Sequence, residues 1–98
     1  MSRNGNIREI IEVSQAELNE IAQQYNSIRV GATKDVDVRA NQYEREGYSG
    51  IMYFAKTTNM QYAEDKLLEH APRHNIHKTS NVDNGSGYVY VINGKKYK

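Results

Sequence analysis

Ninety-eight residues, 38% of them apolar and 26% charged, suit one globular domain with a single modest core. No apolar run approaches a membrane span, and the absence of cysteine excludes disulfides and thiolate metal sites. The net charge of +1 is unevenly spread: residues 1–48 carry six Lys/Arg against eight Asp/Glu (−2), residues 49–98 seven against four (+3).

Met1 to Asn6 reads as a loose lead without an apolar signal core, so an intracellular setting, cytoplasm or nucleus, is expected. IREIIEV alternates as a strand does, with Ile7, Glu9, Ile11 and Val13 on one side. Ser14 and Glu17 have the spacing of a capping box, and Val13 and Leu18 that of a hydrophobic staple. The helix they open runs through Leu18, Ile21, Ala22 and Tyr25 as its core stripe and fades at Asn26-Ser27. SIRVGAT is a strand, and DVDVRANQYEREG a helix with acidic residues early and Gly47 as its stop. SGIMYFAKT is a strand, Asn59 caps the helix MQYAEDKLLEHA, and Pro72 ends it. HNIHKTSNVDNGSG reads as loop. GYVYVINGKKYK reads as a hairpin about Asn93-Gly94, a pair that accepts the positive φ of a tight primed turn. The expected class is α+β, a small mixed sheet flanked by about three helices.

Three patterns point toward chemistry. Arg39 and Tyr43 are one helical turn apart, a guanidinium beside a phenol on one face. Glu64 shares the apolar stripe of Met60, Ala63, Leu67 and Leu68. A carboxylate there needs a partner, whether an arginine, a metal ion or a reacting group. Tyr88 and Tyr90 share one face of the last strand. Each has a plainer reading: a solvated helix face, a structural ion pair, ordinary strand formers. His70, His74 and His77 in HAPRHNIH raise a zinc site as a rival, but Pro72 spoils the helical spacing of the first two.

Together, RVGATKDVDVRANQY resembles the second half of the GIY-YIG nuclease motif, with Gly31, Thr33, Arg39 and Tyr43 at that family's intervals. NMQYAEDKLL resembles the helix carrying its metal-binding glutamate, which would be Glu64. GYVYVINGKKY resembles the opening Gly-Ile-Tyr strand, with Tyr90 as its tyrosine. The chain thus resembles a GIY-YIG domain in circularly permuted order over residues 27–98, its first hairpin moved to the C-terminus and residues 1–26 forming an extension. The Tyr-Ile-Gly slot reads Arg29-Val30-Gly31, so one family tyrosine is missing there, and Tyr97 is the candidate to replace it. Asn75 and Asn81 fall in the region of the family's late asparagine.

The resemblance implies a Mg²⁺-dependent (or Mn²⁺-dependent) endonuclease hydrolysing DNA phosphodiester bonds. Glu64 would hold the metal, and Arg39 would stabilise transition-state charge. Tyr90 or Tyr97 would serve as base with Tyr43 beside the water, and Lys56, Lys95 and Lys96 would grip DNA. The alternative is a nucleic-acid-binding module of the same fold whose catalytic site has eroded. Permutation is also compatible with a homodimer that exchanges hairpins.

Overall fold

Seven elements follow one another along the chain: β1 (Ile7–Glu12), α1 (Gln15–Ala22), β2 (Ser27–Thr33), α2 (Val36–Arg45), β3 (Tyr48–Thr57), α3 (Met60–His70) and β4 (Gly87–Lys96). The computed structural model describes residues 5–71 and 84–97, and Pro72, His74, Asn75, His77, Asn81 and Lys98 lie outside them. The class is α+β, with one mixed four-stranded sheet in the order β1-β3-β4-β2. β1 runs parallel to β3, while β4 lies antiparallel to both β3 and β2.

Local chemistry fixes the helix starts. Ser14 accepts from the Glu17 amide while the Glu17 carboxylate returns to the Ser14 amide, so two amides at the start of α1 are satisfied reciprocally. Asp35 and Asn59 cap α2 and α3 by accepting from Val38 and Tyr62. Gly47, at φ +97°, turns the chain after α2, and a Cβ there would collide with the Tyr97 carbonyl.

Two cores form because the sheet is covered on both faces. On one, Leu18 and Ala22 of α1 and Met60, Ala63 and Leu67 of α3 pack on Val30, Ala32, Ala55, Val89 and Val91. Leu18 and Leu67 have no exposed surface, a burial that contributes about 1.5–3 kcal/mol each. On the other, Val36, Ala40 and Tyr43 of α2 meet Tyr48, Met52, Tyr90 and Ile92. α2 leans over β1 and β3, whereas α3 leans over β2 and β4. Strand alternation makes this division: odd positions of β4 face α1 and α3, even ones face α2. Residues 7–22, set apart in the sequence as an extension, supply a strand of this sheet and a helix over it.

Two expectations are corrected. The Asn93-Gly94 turn does not form: β4 runs straight through it, pairing with β3 as far as Lys96 opposite Tyr48. Gly94 is there for closeness, since a Cβ would lie 1.9 Å from the Ser49 carbonyl oxygen, opposite Gly50 at φ +132°. Asn93 exchanges amide hydrogen bonds with Asn26, and its amide nitrogen also donates to Gln24 Oε1 at 3.0 Å. Tyr25 is not a core residue. α1 stops at Ala22, where the buried Ser27 hydroxyl donates to the Ala22 carbonyl at 2.8 Å, and Tyr25 swings outward, 80% exposed.

Candidate functional site

Tyr90 stands opposite Gly31 on the β2–β4 ladder, with Arg29 one step along opposite Ile92. Gly31 and Arg29 lie on the face of β2 that Tyr90 shares. Tyr43 reaches that face from α2, and its ring lies edge-on to Tyr90 at 5.7 Å and to Tyr48 at 5.0 Å. The Tyr43 and Tyr90 hydroxyls meet at 2.5 Å. Arg39 Nη1 donates to the Tyr90 hydroxyl at 3.3 Å, and Arg29 Nε to the Tyr43 hydroxyl at 3.2 Å, its guanidinium 5.5 Å over the Tyr43 ring. The rings are buried; the two arginines are half-buried and reach the surface.

Electrostatics decide what this cluster can do. Burial raises the Tyr90 phenol well above its ordinary value and the Tyr43 hydroxyl adds to the rise; Arg39 and Arg29 oppose both incompletely. Burial raises Tyr48 as well, against the pull of Arg29. Burial works against the charge on Arg29 and Arg39, but the phenols outweigh it and both are raised. The cluster therefore presents two fixed cations beside the neutral phenols of Tyr90 and Tyr48. A base at neutral pH needs a lowered phenol, and the surroundings of Tyr90 act in the opposite direction.

Of the residues expected in a common site, the structure brings Arg39, Tyr43 and Tyr90 together. Glu64 has no exposed surface and rises from α3, which packs on the opposite face of the sheet. A Mg²⁺ or Mn²⁺ ion held by one carboxylate keeps several waters, for which a fully buried carboxylate leaves no room. Among the described residues no group of three or more His, Cys, Asp or Glu converges. These residues do not fit a metal shared with the phenols. Tyr97 follows β4, its amide bonded to the Gly47 carbonyl at 2.8 Å and its ring 5.1 Å from the Lys95 ammonium. It joins Asn6, Arg8 and Asn26 in a separate cleft, and the slot it was expected to fill holds Arg29. His70 is exposed, 3.4 Å from the Gln23 amide nitrogen; the other two histidines are not among the described residues.

The three lysines expected to grip DNA do not form one rim. Lys96 lies 5.1 Å over Tyr48, extending the arginine cluster, while Lys95 points to the other face. Lys56, at the far end of β3, lines a groove of about 890 Å³ with Lys34, Lys66, Thr58 and Tyr62. Sequence reasoning missed Arg29, Tyr48, Lys34 and Lys66. Alternation of Arg29, Gly31 and Thr33 could have put Arg29 beside Tyr90, but only once the β2–β4 register was known.

Comparison of the chain with family models, curated proteins and solved structures finds no match. No helix among the described residues is long and apolar enough to cross a membrane.

Proposed function

We propose that this chain is a nucleic-acid-binding module that recognises DNA through its phosphates, with Arg29 and Arg39 as the central contacts and Lys96 continuing the track. The observation that carries this reading is the meeting of Tyr90, from the last strand, with Arg39 and Tyr43, from a helix some fifty residues earlier. Buried phenols hold the guanidiniums in place, so less side-chain entropy is lost when a phosphate arrives. The raised Tyr90 phenol favours grip over proton abstraction.

A second reading, hydrolysis of the phosphodiester in the manner of the GIY-YIG nucleases, is favoured by one further observation. β4 lies beside β2, with Tyr90 across from Gly31, so the strands resembling Gly-Ile-Tyr and Tyr-Ile-Gly are paired arms although sequence separates them. Permutation of this kind is tolerated because a sheet requires adjacency in space.

Incubation with supercoiled plasmid, in Mg²⁺ or in EDTA at stepped salt, separates the two. The binding reading expects retardation in both tubes that weakens with salt and no nicking, with Arg39→Ala lowering affinity about tenfold or more. Absence of retardation at low salt overturns it. Nicking confined to Mg²⁺, and lost in Arg39→Ala, establishes hydrolysis instead.

A further inference from the structure

We infer that Arg29 and Arg39 together form a donor-only site for a phosphoryl oxyanion, with a phenolic proton as its third contact. The inference relies on the DNA-binding reading for its natural ligand but not for its chemistry.

The hydrogen-bond count leads to it. Each phenol has one proton to donate, and the Tyr43–Tyr90 bridge uses only one of the two. The two arginine contacts are donations to these oxygens, so they consume acceptor capacity and provide none. One phenolic proton in a nearly dry site therefore needs an acceptor that this network does not supply. Buried donors of this kind are nearly always satisfied. The guanidiniums say the same. Beyond its contacts with the phenols, each retains further N–H groups for another acceptor. Both cations act on the Tyr43 hydroxyl, so two like charges converge on one atom in a half-buried place. No carboxylate is among the groups acting most strongly on either arginine.

An oxyanion answers all three conditions. It supplies acceptors only, it neutralises the paired charge, and a tetrahedral group offers oxygens in separate directions to two separate forks. Access comes through the arginines themselves, which are half-buried and reach the surface. Arg29 thus makes a cation site of the position where the resembling family has a tyrosine.

Inorganic phosphate is the probe. Titrated into the full chain at constant ionic strength, it should shift the Nε–H resonances of both Arg29 and Arg39 along one saturable curve, while chloride leaves them in place. Arg29→Gln should weaken phosphate binding about tenfold or more, and Arg29→Lys should fall between, retaining charge without the fork. Movement of neither or only one arginine resonance overturns the site, and so does an Arg29→Gln protein that folds and keeps the parental affinity. The wild-type resonances decide the matter if that variant fails to fold. Competing oligonucleotides separate the sources of the phosphoryl group. Stronger displacement by a 5′-phosphorylated strand than by its 5′-hydroxyl twin assigns the site to a strand end, and equal displacement assigns it to the backbone. Phosphate binding that neither strand displaces leaves the oxyanion site standing and removes the DNA reading.

Discussion

The Tyr43 and Tyr90 hydroxyls, 47 residues apart in sequence, share a buried hydrogen bond of 2.5 Å. The bond couples α2 to the central strand β4 and fixes the oxygens to which both arginines donate. Removing either hydroxyl costs its partner a buried hydrogen bond and leaves it only an arginine contact, so Tyr43→Phe and Tyr90→Phe should each destabilise by about 1–3 kcal/mol. Removing both should cost less than the sum of the two, with a coupling of about 0.5–3 kcal/mol in a double-mutant cycle by urea unfolding. Additivity within about 0.5 kcal/mol means that the hydroxyls do not interact in solution.

Stability should also respond to alkali. Burial and the Tyr43 hydroxyl raise the Tyr90 phenol, so above an ordinary phenol's pKa near 10 the folded chain keeps a proton that the unfolded chain releases. The protein then binds more protons folded than unfolded, and unfolding free energy falls as pH rises. The stabilisation is complete below about pH 10 and is lost as pH climbs through the folded value. Urea midpoints between about pH 8 and pH 11 should decline steeply for the parent and less for Tyr90→Phe. Equal slopes in the two proteins would show that Tyr90 titrates like an exposed phenol.

What could be read from the sequence was what local chemistry decides. Ser14 with Glu17, Asn59 and Gly47 mark helix ends because a cap or a positive φ acts within a few residues. Tyr88 and Tyr90 share a face because strand alternation is local too. The pairing of Arg39 with Tyr43 follows from helical spacing, and the meeting with Tyr90 was accessible only through resemblance. What could not be read depends on distant partners. Arg29 acquires its position from a ladder with β4, and Glu64 is carried to the far face by α3. Asn93-Gly94 has the composition of a turn, yet the ten residues of β3 give β4 a partner along its whole length, and the pairing outweighs the turn signal.

That contest gives a test at Gly94. In the extended strand a Cβ would press on the Ser49 carbonyl oxygen and on Gly50 Cα at 2.9 Å, both backbone atoms with little freedom to retreat. Gly94→Ala should therefore destabilise by about 1–3 kcal/mol or more, as overpacking does. Amide exchange in the parent should show the Tyr48–Ile51 end of β3 protected by pairing with the strand beyond Asn93. Rapid exchange there, with a tolerated Gly94→Ala, would restore the turn.

The groove at the far end of the sheet offers a separate measure of DNA contact. Lys34, Lys56 and Lys66 line it with no carboxylate among its described lining residues, although Glu69 lies 3.9 Å from the Lys66 ammonium and Asp35 and Asp37 line the neighbouring cleft. Exposed lysines bind phosphates as point charges and release counterions, so each phosphate contact steepens the salt dependence by about 0.9 in the slope of log K against log salt. If a strand crosses from the arginine cluster to this groove, Lys56→Gln with Lys66→Gln should flatten that slope by about 1–2. The pair should also weaken binding at low salt and leave the melt nearly unchanged, because both side chains reach solvent. An unaltered slope would confine DNA contact to the Arg29, Arg39 and Lys96 side of the molecule.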